Sequence, residues 1–454
     1  MTRNPFPFGV VAICLLGAVA CGTAGGAGTP SSHATPSSHA QSVRPPATPA
    51  PAPTGCGPFP PRRAWIDEVS SAGRVTWQLR LPTDPTMQGI ALQPVVIGGT
   101  AIVAEENAVY AVRLTDGHQL WKRAFPKVGK GPLSFASDLV YGLWQYRGTV
   151  IVLVGQVSSA SRLFSLNPAT GAVRWELSLG KQGETGNLTL TGDGGLAMIY
   201  GYATLTVVDL TTGKVRWGRA AGNSGGPLAV GGVVIAPADG YPSGKLMGYS
   251  SRTGKLLWTR TGMPSEPEPQ LASGVVIMTN ANRVTALSPA TGRTLWTVST
   301  ASPIFSVTTG PSGIAVSTEV PSRLYLIDPR TGRVRWHVAY QGGQAPPLDT
   351  GTDLLYEGGK RFSLVDLRVS NGSVRWAVPA PATSFAQVPR FGAYAVVIGN
   401  STKPNAPASV TAYRLATGKT AWTTKVPTFV EVPAAVAGAD LLVQSGDLTE
   451  GCPA

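Results

Sequence analysis

The sequence is poor in the residues from which most catalytic sites are built. It holds four histidines and four cysteines in 454 residues, and only 13% of its residues are charged. No Walker loop, HExxH pair or CxxCH haem motif occurs in it, so the chemistries those spacings serve lack their usual signatures here. From residue 64 onward the only histidines are His118 and His337, each close to a tryptophan, and both read as surface residues rather than as a base or a metal ligand. His33 and His39 lie in a low-complexity stretch without further ligands and read as polar linker residues. Acidic residues are scarce too: 24 Asp and Glu stand against 37 Lys and Arg, a net charge of +13. Long segments of helical apolar periodicity are missing. The apolar residues fall instead in short β-type runs, which points to an all-β fold.

The N-terminus reads as an export signal. A short apolar run (6–20) follows Arg3 and ends in Ala18-Val19-Ala20-Cys21-Gly22. A spanning helix needs about 20 apolar residues, so this run fits a signal core. Small residues before Cys21 resemble a lipobox, although Ala18 stands where Leu is usual; residues 1–21 are assigned to a lipoprotein signal peptide with Cys21 as the lipidation site. Residues 22–60 are mostly Gly, Ala, Ser, Thr and Pro and repeat TPSSHA in tandem. Such a stretch cannot bury enough apolar surface to offset its ordering, so it is read as a disordered tether. The domain then runs over 61–454. Cys56 and Cys452 are the cysteines left outside the signal. In an exported protein such an isolated pair is most simply a disulfide, here across the two ends of one domain.

A repeated unit organises that domain. Its plainest copies are LFSLNPATGAVRW (163–175), LTVVDLTTGKVRW (205–217), VTALSPATGRTLW (284–296) and LYLIDPRTGRVRW (324–336). From Trp121 to Trp422 the terminal tryptophans are spaced 54, 42, 41, 38, 40, 40 and 46 residues apart, a period that suits propeller blades. The Thr-Gly or Asp-Gly pair supplies a turn in which φ can be positive. Two further short runs precede each unit, which completes a four-stranded antiparallel blade with strands A to D. One Trp at a fixed place on every strand D is a packing residue, since a ligand residue would not recur in every unit.

The unit resembles the pyrroloquinoline-quinone-like repeat of quinoprotein dehydrogenases and of the propeller lipoprotein of an outer-membrane assembly machine. The resemblance covers about residues 64–446. It implies a quinoprotein-like β-propeller and leaves activity open, because enzymes and non-enzymes share this repeat. Eight complete units run from 94 to 422; the fragments 64–77 and 433–446 supply half a blade each. Eight or nine blades are therefore expected, with closure by two strands from each end preferred.

No catalytic residue and no metal ligand is assigned, and no cofactor is expected. The vicinal disulfide common in quinoprotein dehydrogenases is missing. The leading expectation is an envelope-tethered, non-catalytic scaffold on the outer surface of the cell membrane, monomeric, or secreted if Cys21 is not lipidated. The alternative is an oxidoreductase using pyrroloquinoline quinone and calcium. Expected partners are envelope proteins or anionic wall and lipid components; nucleic acid is not expected outside the cell. Trp144, Tyr146 and Arg147, in an insertion of the second full blade, are residue types enriched at binding hot spots, with a hairpin packed on the ring as the other reading. Basic residues recur beside the C–D turns, Lys255, Arg293 and Arg333 foremost. Either they decorate a solvated outer strand or their fields add on one face. Strand reversal puts the acidic B–C loops (Glu105, Glu106, Asp239, Glu319, Glu357) on the other face, so one basic and one acidic face are expected.

Overall fold

The computed structural model describes residues 64–83, 92–125, 139–156, 159–179, 187–190, 195–201, 204–220, 226–238, 244–263, 269–340, 347–358, 363–380, 390–401, 403, 406–430 and 434–446. Cys14, Cys21, Cys56 and Cys452, and with them the lipidation site, the disulfide and the linker, lie outside the described residues.

Nine four-stranded antiparallel sheets are arranged as the blades of a ring. Blades 1 to 8 are contiguous in the chain (95–124, 139–178, 187–220, 228–263, 270–299, 304–339, 348–379 and 390–426). The ninth takes strands A (Ala435–Ala437) and B (Asp440–Gly446) from the C-terminal end and strands C (Ala64–Ser70) and D (Val75–Leu81) from the N-terminal end. Ala64 to Ser70 pair in unbroken register with Gly446 to Asp440. The preferred closure therefore holds, and the blade count is nine. Joining both ends in one sheet gives each end strand a partner and removes two exposed edges.

Burial follows strand position. In blade 1, strands B (Thr100–Glu105) and C (Ala108–Arg113) are buried along almost their whole length, whereas strand D (Gln119–Ala124) alternates exposed and half-buried residues. The middle strands are covered by a neighbouring blade on each side and so read as near-continuous apolar runs; strand D lies on the outside and needs only one covered row. A strands are short, three residues each in blades 1, 4, 5 and 9, and those of neighbouring blades approach one another around the axis. The core is divided among the seams, each an apolar layer between two blades such as Ile102, Val152 and Phe164 between blades 1 and 2.

Every seam is locked in the same way. Strand D of each blade carries a β-bulge immediately before its Trp. The extra residue bends the strand and re-aims the side chain that follows. Each indole then lies over the turn glycine of the next blade and donates its N–H to a carbonyl in that turn, at 2.6–3.2 Å in all nine cases. Trp422 to the Ser71 carbonyl, at 2.9 Å, closes the circle. The glycines have φ of 66–77°, and a Cβ on any of them would come within 2.7 Å of the ring above it. Glycine meets both demands at once, the positive φ and the close approach.

Candidate functional site: the turn face of the ring

Chain direction reverses at every strand, so the A–B and C–D turns share one face, and the B–C and D–A connections share the other. The C–D turns are compact. In most, the glycine N–H bonds the carbonyl four residues back, as from Gly254 to Ser250 and from Gly332 to Asp328, which pushes the residues on either side of the glycine into solvent. Arg74, Lys214, Arg252, Lys255, Arg293, Arg330, Arg333, Arg368, Arg414 and Lys419 are all exposed there.

Three of the acidic residues of this face are held by an arginine of their own blade. Asp116 pairs with Arg113 at 2.7 Å, Asp209 with Arg216 at 2.6 Å and Asp328 with Arg335 at 2.9 Å. The bond from Arg335 and those from Thr331 hold the Asp328 carboxyl down at about 2. At Asp209 burial works in the other direction, but Arg216 and the amides of Thr211 and Thr212 outweigh it, and the carboxyl stays below its ordinary value. These acids remain ionised and locally neutralised, so the surrounding lysines and arginines set the field of the face.

The opposite face departs from expectation. The B–C loops do carry Glu105, Glu106, Glu319 and Glu357 there, while Asp239 lies outside the described residues. Glu105 and Glu106 are only 1% and 5% exposed, however. The starts of strands C in blades 4, 5 and 6 bring Lys245, second in its strand, and Arg283 and Arg323, first in theirs, to the same end. Among the described residues that face is mixed rather than acidic, because two of its carboxylates are turned into the ring and basic side chains lie at the start of neighbouring strands.

The insertion of blade 2 forms its long strand A (Leu139–Tyr146) and the tight turn to strand B. Trp144 and Tyr146 are half-buried in the apolar layer between blades 2 and 3. Only Arg147, in the turn at φ 45°, is exposed, and it sits on the basic face. His118 is exposed in the C–D turn of blade 1, next to Gly117, and His337 is exposed on strand D of blade 6, where its Nδ1 lies 3.0 Å from Arg323.

Two features escaped sequence reading. In blade 7 Asp353 and Asp366 are 4% and 0% exposed, and Arg375 pairs with both. Burial, reinforced by Asp353, pushes the Asp366 carboxyl up to about 7 against the pull of Arg375 and Arg368. Aligning the repeats on their tryptophans would have exposed it: Asp366 stands opposite Trp376, where blades 1, 3, 5 and 6 place Ala111, Val207, Ala286 and Leu326 and only blade 9 places another acid, Glu68. The second feature is an open pocket of about 400 Å³ on the basic face, lined by Arg216, Ser251 and Arg252.

Among the described residues no three His, Cys, Asp or Glu side chains converge as ligands. Asp349, on strand A of blade 7, is engaged by the amide and hydroxyl of Ser312 at 2.8 and 2.6 Å.

The chain matches the repeat family described as outer membrane protein assembly factor BamB over residues 159–304 and 280–437. Among solved structures, BamB from Moraxella catarrhalis is similar at 16% identity, with 79% of this chain and 98% of that chain covered and a TM-score of 0.44. A eukaryotic initiation factor is similar at 12% identity, covering 81% and 97%, with a TM-score of 0.58. The quinohemoprotein alcohol dehydrogenase of Comamonas testosteroni is similar at 13% identity, covering 81% and 75%, with a TM-score of 0.43. At these identities the likeness is one of fold. No curated protein matches the chain. The repeat match spans more than half of the sequence and falls on the blades that the Trp and Gly locks define, and the chain belongs to this pyrroloquinoline-quinone-like β-propeller family.

Proposed function

We propose that the chain is an exported, non-catalytic propeller that binds an anionic component of the cell envelope through its C–D turn face. The observation that carries this reading is the charge pattern of that face. Exposed lysines and arginines recur from blade to blade, while Asp116, Asp209 and Asp328 are each neutralised within their own blade. Cys21 would anchor the chain, and residues 22–60 would let the ring turn this face toward the surface that carries the partner. Lys255, Arg293 and Arg333, from three successive blades, are the residues assigned to the contact, with Arg147 of blade 2 on the same face.

The test is binding of the full chain to phosphatidylglycerol vesicles and to an anionic wall polymer over a salt series. Affinity is expected to fall steeply as added salt shortens the Debye length from about 10 Å to about 3 Å, and to fall further in the K255E/R293E/R333E variant. Binding that is indifferent to salt and to these reversals would contradict the reading. Capture of a protein partner under conditions where neither polymer nor vesicle binds would replace it with a protein-docking role.

A further inference from the structure

A ring of repeats invites a search for the place where its symmetry breaks on the functional face. Between blades 3 and 4 the bulge residue just before the Trp lines one cavity with the turn of the following blade, on which the Trp217 indole docks. Arg174, Arg335 and Arg375 occupy this bulge position in blades 2, 6 and 7, and the turn residues two before the next glycine are Thr211, Ser370 and Ala416. Arg330 has that turn position in blade 6, and the bulge residue of the preceding blade is Leu295. Only between blades 3 and 4 do two arginines coincide, Arg216 from the bulge and Arg252 from the turn. That is also where the pocket of about 400 Å³ opens.

We propose that this seam is a seat for a phosphate group, with the guanidinium groups of Arg216 and Arg252 and the hydroxyl of Ser251 as its donors. The inference rests on the reading of the turn face as an anion-binding surface and names the ligand group it would hold. Asp209 Oδ2 accepts from both Nε and Nη2 of Arg216, at 3.2 and 2.6 Å, which fixes the guanidinium plane and leaves further N–H groups for a ligand. At the corresponding place in blade 6 Arg335 donates to the Ser312 carbonyl as well as to Asp328, and in blade 7 Arg375 is spent on two buried carboxylates. Ser251 is held at both backbone groups: its N–H bonds Gly232 O at 2.8 Å, and its carbonyl accepts from the Trp217 indole at 3.1 Å. The donors therefore stand on a rigid floor. Asp209 already balances the charge of Arg216, so the net positive charge at the cavity comes from Arg252, and the remaining N–H groups of Arg216 serve as donors. A tetrahedral phosphate offers acceptors to two forks and a hydroxyl together, which a planar carboxylate does less well. Lys214 and Lys255, exposed on either side, add to the attraction.

The test compares the full chain with R252Q, R216K and R293Q/R333Q, using a soluble glycerol-phosphate polymer, vesicles of phosphatidylglycerol in phosphatidylcholine, and inorganic phosphate as competitor. R252Q and R216K are each expected to weaken binding about tenfold, since a charge-assisted fork is lost in both. R293Q/R333Q removes two charges from the same face and is expected to cost about threefold or less. Arg252 is exposed in its turn, so R252Q tests the seat without touching the seam, and thermal melting of each variant checks that the fold is kept. Inorganic phosphate should displace the chain at ionic strengths at which chloride does not. Binding confined to the polymer identifies a wall polymer as the source of the phosphate; binding confined to vesicles identifies a lipid headgroup. Equal losses in R252Q and R293Q/R333Q, or displacement no better by phosphate than by chloride, would overturn the seat and leave the reading of the face intact. No loss in any variant would remove both.

Discussion

Trp296 and Arg293 stand three residues apart in one repeat and belong to two different regions of the ring. Trp296 belongs to the seams, where nine bulges, nine indole bonds and nine turn glycines recur without exception. Arg293 belongs to the turn face, and the residue following the turn glycine varies there: Arg74, His118, Ala172, Lys214, Lys255, Arg293, Arg333, Ser373 and Lys419. A closed ring tolerates no seam of a different thickness, so the lock is copied in every blade. A turn that faces water is under no such constraint. Its basic residues gather in consecutive blades 3 to 6, where the paired arginines also lie. Repetition within the chain thus marks what holds the ring together, and departures from it mark where the ring faces water and could meet a partner.

The largest expected effect sharpens this contrast. Trp296→Ala should lower the unfolding free energy by about 3–5 kcal/mol through the cavity left in a seam, whereas Arg293→Ala should stay within about 0.5 kcal/mol. Chemical denaturation of both variants measures the difference. Gly332→Ala should follow, at about 2–3 kcal/mol. Its backbone sits at φ +73°, and the new Cβ would lie 2.7 Å from the Trp296 ring.

A smaller effect is expected where a seam breaks its own rule. The Asp366 carboxyl is raised from an ordinary value of 3.8 to about 7 by burial first and by Asp353 second. A raised acid favours the protonated form in the folded ring. The stability it contributes is therefore complete below about pH 4 and is lost as pH rises toward 7. Asp366→Asn should stabilise the protein by about 1–2 kcal/mol at pH 8 and leave it nearly unchanged at pH 4. A gain that is the same at both pH values would show that Arg375 already compensates the charge.

Much of this fold is legible in the sequence because the lock is made of rare, recognisable parts. A Trp about every 40 residues, preceded by a Thr-Gly turn, reports blade, strand order and period together, and the half-units at 64–77 and 433–446 report the closure. The count of nine follows once those halves pair, as Ala64 does with Gly446. What stays hidden depends on which way a side chain turns. Trp144 and Tyr146 are hot-spot residue types, yet strand A of blade 2 aims them into a seam. Glu105 and Glu106 are loop carboxylates in the sequence but lie buried in the ring. Arg216 and Arg252 are 36 positions apart and meet only because the indole of Trp217 docks on the turn that carries Arg252. Lys255, Arg293 and Arg333 could be singled out by repetition alone, whereas a site made by two neighbouring blades requires the geometry of their contact.

The central claim is that one face of the ring does the binding, and blades 4 to 6 contain a matched control for it. Lys255, Arg293 and Arg333 lie at their C–D turns, and Lys245, Arg283 and Arg323 lie at the start of their C strands, at the opposite end. The decisive measurement is the affinity of the full chain for the anionic polymer or vesicle after triple charge reversal at either set, at one salt concentration. K255E/R293E/R333E is expected to lose at least about tenfold, and K245E/R283E/R323E less than about threefold, although both change the net charge equally. Equal losses would mean that net charge alone drives the interaction, and would contradict a binding face.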